Sequence, residues 1–169
     1  MSVYRITDVQ ELPVPVAEAW DFLSDPRNLA RITPPHMGFR IRTPDLPEKV
    51  HPGLLITYRV KVVPGLPVTW VTEITHVDEG RYFVDEQRIG PYALWHHEHR
   101  LEATDAGCLM RDVVTYKLPL GILGRLAHSL FVKRQLRTIF DYRRRALEGL
   151  FPDTVPGHAP ANDPKDSPR

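Results

Sequence analysis

The chain of 169 residues has one cysteine, Cys108, which excludes an internal disulfide and a cysteine-built zinc site. Neither sign of charge dominates. Twenty-two Lys and Arg stand against 21 Asp and Glu, a net charge of +1, so no global field recruits nucleic acid or an anionic membrane surface. No apolar run approaches the ~20 residues that span a bilayer, so no integral membrane association is expected. The opening Met1-Ser2-Val3-Tyr4-Arg5-Ile6 lacks the basic segment and apolar stretch of a secretory signal. With the free thiol, this leads to the expectation of a reducing, cytoplasmic setting. There is no Gly-rich phosphate loop, no zinc-ribbon spacing and no internal repeat. Cys108 sits near a turn with no triad around it, which argues against a nucleophile.

What is present is the composition of an ordinary globular domain, 42% hydrophobic and 25% charged. The length suits one domain, placed at residues 1–151. Residues 152–169 form a polar, proline-rich tail expected to be disordered. Along the chain, Tyr4 to Leu12 reads as a strand. Val16, Ala19, Trp20 and Leu23 fall at helical spacing, and Asp25-Pro26 suits the cap and first turn of a second short helix ending at Ile32. Period-two segments follow at Phe39–Ile41, Ile56–Val62, Trp70–Thr75, Tyr82–Arg88, Trp95–Leu101 and Met110–Tyr116. They are punctuated by turns at Pro64-Gly65, Asp78-Glu79-Gly80, Gly90-Pro91 and Asp105-Ala106-Gly107. From about Leu123 to Phe151 the pattern is one long amphipathic helix. Val132, Leu136, Ile139, Phe140, Ala146, Leu147 and Leu150 share its apolar stripe, and Arg143 sits within that stripe.

The segments Trp95–Leu101 and Met110–Tyr116 are the most informative. Folded into a hairpin about Thr104–Gly107, they set Leu101 opposite Met110, His99 opposite Asp112, His97 opposite Val114 and Trp95 opposite Tyr116. All eight share one mainly apolar face, which must point inward. Two histidines and a carboxylate on such a face must satisfy one another or line a cavity, because an unpaired buried polar group is costly. If the preceding turn centres on Pro91, Asp85 lies near His97 and Phe83 near His99. His96 falls on the outer face and is expected to be solvent-exposed.

One strand, two short helices, about six antiparallel strands and a long C-terminal helix predict an α+β fold. In it, a curved seven-stranded antiparallel sheet wraps around the helix and leaves a cavity between them. This order resembles the helix-grip fold of the START-like (SRPBCC) superfamily, which includes the birch pollen allergen, polyketide cyclases and coenzyme-Q-binding START proteins. The resemblance is carried by Pro15-Val16-Ala17-Glu18-Ala19-Trp20-Asp21-Phe22-Leu23-Ser24-Asp25-Pro26, by Phe83–Gln87 with Gly90-Pro91, and by Trp95–Arg100. Asp112, Tyr116 and Pro119 extend it. It covers residues 3 to 151 and implies the fold. The superfamily hosts carriers, sensors, cyclases and hydrolase-activating proteins, so the resemblance does not select among functions.

Inward parity nominates the cavity residues. Tyr58, Trp70, Phe83 and Gln87 come from the middle strands, and Trp95, His97, His99, Asp112 and Tyr116 from the hairpin. Leu136, Phe140 and Arg143 come from the helix. An apolar lining with few polar anchors suits an apolar ligand. His99, Asp112, His97 and Asp85 are candidates for acid–base catalysis, the chemistry that cyclases of the superfamily perform with polar cavity residues. A histidine pair at i, i+2 with a carboxylate can also chelate a metal, but a His–Asp pair across strands accounts for the same residues, and no metal or other cofactor is expected. Arg143 either reaches Asp112 or Asp85, or snorkels to water. Segments 33–38 and 118–121, rich in Gly and Pro, could frame an entrance.

Three functions are consistent with these residues. The first is binding of a small hydrophobic molecule (a lipid, isoprenoid or polyketide-like compound). The second is a cyclase- or dehydratase-like enzyme. The third is a protein-interaction or regulatory domain with a filled core. The expected partner is a small hydrophobic ligand, with a protein partner left open and no nucleic acid.

Overall fold

The computed structural model describes residues 2–63 and 66–152. Strand β1 (Tyr4–Leu12) leads into helix α1 (Val16–Leu23), then into two 3-10 turns at Pro26–Ile32 and Pro35–Met37. Strands β2 (Arg40–Ile41), β3 (Leu55–Val63), β4 (Leu66–Asp78), β5 (Tyr82–Ile89), β6 (Leu94–Thr104) and β7 (Gly107–Lys117) follow. Helices α2 (Gly121–Ala127) and α3 (Lys133–Leu150) close the chain, joined by a π-helical stretch at His128–Val132. The strands form one antiparallel seven-stranded sheet in the order β1-β7-β6-β5-β4-β3-β2, the predicted curved sheet against a C-terminal helix. Among the described residues no helix is long and apolar enough to cross a membrane. The turn at Pro64-Gly65 and the tail beyond residue 152 lie outside the described residues.

Local chemistry explains the boundaries. Asp25 accepts a hydrogen bond from the Arg27 backbone N–H at 2.9 Å, and Pro26 fills the first position of its turn, as the sequence predicts. That turn is 3-10 rather than α-helical, and α1 starts behind Pro15 with no side-chain cap. The β6–β7 hairpin closes at Thr104 and Gly107. Gly107 has φ +144°, and a side chain there would run into the Leu12 carbonyl oxygen, so glycine lets this turn lie against the end of β1. Register shifts between Val60 and Val63, Val71 and Thr72, and Ile74 and His76 add bend and twist to β3–β5.

The C-terminal helix is not the single regular element that the apolar stripe predicts. It starts earlier, at Gly121, and widens by one π-helical turn before α3. A period of 3.6 read over a short window does not report such a widening. Along α3 the buried residues are Leu136, Phe140, Arg143 and Leu147, one stripe facing the sheet. Burying each apolar member contributes about 1.5–3 kcal/mol. Polar ties fix the helix across the sheet. Gln135 Nε2 donates to the Val62 carbonyl at 2.7 Å, and Gln10 Nε2 donates to the Arg144 carbonyl at 3.0 Å.

Candidate functional site

Between the sheet and α3 lies a cavity of about 190 Å³. Apolar side chains make most of its wall. Ile56, Tyr58 and Val60 come from β3, Trp70 and Ile74 from β4, and Leu136, Ile139 and Phe140 from α3. Aromatic rings support one another around it. Trp70 stacks on Tyr58 with centroids 6.0 Å apart and meets Trp95 edge-on at 5.2 Å. Tyr58 Oη and Trp70 Nε1 both bond to Thr72 Oγ1, at 2.9 and 3.1 Å. Burial, then the charge of Asp85, pushes the Tyr58 hydroxyl far above its ordinary value, so it stays neutral.

One patch of the wall is polar. The β5–β6 register sets Asp85 opposite His97 and Phe83 opposite His99, and the β6–β7 register sets His99 opposite Asp112. These are the pairs expected from alternation. Asp85 Oδ2 lies 2.8 Å from His99 Nε2 and 3.3 Å from His97 Nδ1. Asp112 Oδ1 lies behind the same rings, 2.8 Å from His99 Nδ1 and 3.4 Å from His97 Nε2. Phe83 stacks on His99 with centroids 4.2 Å apart and holds its ring plane. Arg143 does not snorkel. It is 6% exposed, with Nε 3.2 Å from Asp112 Oδ2 and Nη2 3.3 Å from His99 Nδ1. The Asp112 contacts are close ion-pair approaches, because neither Asp112 oxygen makes an aligned hydrogen bond.

Charge sets the protonation of this patch. Burial would raise the Asp112 carboxyl, but Arg143 and the imidazoles outweigh it and hold Asp112 well below the usual carboxylate range. Asp85 is likewise held ionised by His97 and His99 against its burial. Burial would lower His97, yet Asp85 and Asp112 push it up to about 9. Sign then follows from linkage. The His97 contribution is complete below its ordinary value of 6.5 and is lost as pH rises through about 9. The carboxylate contributions are present above their ordinary 3.8 and are lost only as pH falls toward their depressed folded values. With Asp85, Asp112, His99 and Arg143 as the groups that face His97, melting temperature is expected to fall from pH 6.5 to 9.5. His97→Gln should flatten that limb; an unchanged slope in that variant would show that other groups carry it.

The expected site residues divide cleanly. Tyr58, Trp70, Phe83, Asp85, Trp95, His97, His99, Leu136, Phe140 and Arg143 all line the cavity. Three do not. Asp112 is fully buried behind the imidazoles. Tyr116 is buried in a second apolar cluster with Val114, Leu136 and Phe140. Gln87 staples the β5–β6 turn, its Nε2 donating to the Tyr92 carbonyl at 2.7 Å and its Oε1 accepting from the Tyr92 N–H at 3.1 Å. His96 is on the outer face as expected but only partly exposed, bonded to Glu86 at 2.9 Å. Sequence reasoning missed Phe22, Leu29, Phe39 and Tyr92 as cavity residues. Of the two expected gate segments, Thr33 and Met37 of the first reach the cavity and no residue of 118–121 does. Leu120 has φ +64°, a left-handed conformation that is strained for leucine, and its side chain is exposed.

Comparisons with known proteins agree with this geometry. A family model described as polyketide cyclase / dehydrase and lipid transport matches residues 4–150. No match was found among curated proteins. Among solved structures, a protein from Chromobacterium violaceum is 14% identical with a TM-score of 0.65, covering 87% of this chain and 96% of its own. The di-domain ARO/CYC StfQ from the steffimycin biosynthetic pathway is 16% identical with a TM-score of 0.66, over 88% of this chain and 50% of that one. Ara h 8.0201 is 18% identical with a TM-score of 0.56, over 88% and 99%. At these identities the likeness is one of fold.

Proposed function

Because the chain belongs to the polyketide cyclase, dehydrase and lipid-transport family, we propose that it binds a small hydrophobic molecule in the cavity between sheet and C-terminal helix. The observation that carries this is an aromatic and aliphatic wall with one polar patch, Asp85, His97, His99 and Arg143, at its base. A ligand would place its apolar body against Tyr58, Trp70 and Phe140 and its polar end at that patch. Size narrows the class. The 190 Å³ is somewhat more than the ~150 Å³ that admits benzene and less than the ~300–1,000 Å³ of sites for drug-sized compounds. A compound of one or two rings, or a short acyl segment, fits without helix movement.

Turnover of such a ligand by acid–base chemistry is a second function, favoured by one observation: His97 faces the cavity, and its value near 9 makes it protonated at neutral pH beside ionised Asp85. Native mass spectrometry of the protein, before and after organic extraction and after incubation with an apolar cell extract, tests both. Binding predicts a discrete 1:1 adduct that extraction removes. Turnover predicts a compound released with altered mass. A chain that stays at its bare mass throughout contradicts both.

A further inference from the structure

Three donor atoms converge on the polar patch of the cavity wall: Asp85 Oδ2 from β5, and His97 Nδ1 and His99 Nε2 from β6. All lie within 4.8 Å of one another, and Asp85 Oδ2 is 3.3 and 2.8 Å from the two nitrogens. Ligands held ~2.0–2.2 Å from one ion stand about 2.8–3.6 Å apart at octahedral or tetrahedral angles. The two edges through Asp85 already have this spacing, the third lies within 4.8 Å, and side-chain adjustment would bring the three donors onto one face of a coordination sphere.

The surroundings match as well. A metal-bound imidazole carries a hydrogen on its other nitrogen, and that nitrogen ordinarily faces a carboxylate or carbonyl. Here both rear nitrogens, His99 Nδ1 and His97 Nε2, face one oxygen, Asp112 Oδ1, at 2.8 and 3.4 Å. Asp112 is completely buried and is balanced on its other oxygen by Arg143. His97 Nε2 and both Asp112 oxygens are buried without an aligned hydrogen bond, which calls for an explanation. Arg143 Nη2, 3.3 Å from His99 Nδ1, can only donate, so this nitrogen accepts while no ion is bound; an ion on His99 Nε2 would make it a donor toward Asp112 Oδ1 instead. Formal charge points the same way. With neutral imidazoles, two carboxylates against one guanidinium leave the buried cluster at −1, a deficit that a proton or a cation can fill.

We propose that Asp85, His97 and His99 form a site for a divalent first-row transition-metal ion, with Asp112 as the acceptor behind both imidazoles. Two imidazoles and one carboxylate, with no thiolate, suit ions of the Zn²⁺, Co²⁺ or Fe²⁺ type and disfavour Ca²⁺ and Mg²⁺. All three ligand residues line the cavity, so the remaining coordination positions open into it, the arrangement of a site that takes a further ligand. The site does not rest on the ligand proposed above, since the ion binds the protein alone.

Titration of the full chain with Co²⁺, followed by visible absorption and equilibrium dialysis, tests this. One equivalent is expected to bind with d–d absorption of nitrogen and oxygen ligation. Asp85→Ala and His97→Ala should lose both signals, and Asp112→Asn should weaken binding about 10–100-fold. His51→Ala and His76→Ala, on the exposed surface, should change nothing. Nuclear magnetic resonance of the wild type needs no variant: paramagnetic Co²⁺ should shift or broaden Phe83 and Tyr58 ring signals first. Absence of a stoichiometric ion, Co²⁺ effects confined to surface histidines, or binding that survives in folded Asp85→Ala overturns the proposal.

Discussion

Asp112→Asn is expected to destabilise the protein by about 3–5 kcal/mol, the cost of removing one partner from a buried ion pair. Asp112 is fully buried and, among the described residues, is the one carboxylate paired with Arg143, itself 6% exposed, at 3.2 Å. The asparagine keeps the size but not the charge, so Arg143 loses its carboxylate partner and protonated His97 keeps Asp85 alone. Urea unfolding reads the loss directly. With a slope of roughly 1–3 kcal/mol per molar, the midpoint should fall by about 1 M or more. Removing both partners isolates the charge from the packing. Asp112→Leu with Arg143→Met should recover most of the loss, because an apolar pair of similar volume costs little where an unpaired charge costs much. A drop below about 1 kcal/mol in the single variant would show that Arg143 finds another partner and that the cluster is not one coupled unit.

Trp70→Ala is expected to cost about 3–5 kcal/mol and to change what the cavity holds. Trp70 is buried, stacks on Tyr58, meets Trp95 and Tyr92 at 5.2 and 5.6 Å, and donates to Thr72 at 3.1 Å. Truncation removes a wall shared by four aromatic side chains and leaves space that the bulged strands β3 and β4 cannot close by small shifts. Thermal unfolding gives the stability loss. A panel of one-, two- and three-ring phenols gives the specificity: the wild type should prefer the smaller members, and the variant should accept the largest relatively better. An unaltered size preference would mean that Trp70 is core packing with no part in the site.

How much of this the sequence carries depends on the element. The hairpin register is legible because side chains alternate strictly and Gly107 closes the turn, so His99–Asp112 and Trp95–Tyr116 follow from counting. Arg143 is legible as an oddity, a charge on an apolar stripe, and its position at 6% exposure beside Asp112 resolves it. Depth is not legible. Alternation reports which face a residue shares and not how far along the strand the cavity extends, so Gln87, Asp112 and Tyr116 share the inward face without reaching the cavity. Phe39 opens a period-two segment too short to say which of its faces points inward, and Met37 ends a 3-10 turn with no strand parity to place it. Segment 118–121 shows the reverse error: Gly and Pro content marks a loop but does not say what it covers.

Occupation of the space between sheet and helix by an apolar ligand can be read from a fluorescence titration. The probe is 2-naphthol, two rings with one hydroxyl, and the reporters are the wall residues Trp70 and Trp95. Wild type is compared with Ile139→Trp, which places a large ring into the cavity from α3. The wild type is expected to bind saturably at 1:1, and a folded Ile139→Trp, confirmed by its melting curve, at least about tenfold more weakly, a difference of ~1.4 kcal/mol. No saturable binding to the wild type, or equal binding to both proteins, would contradict the account.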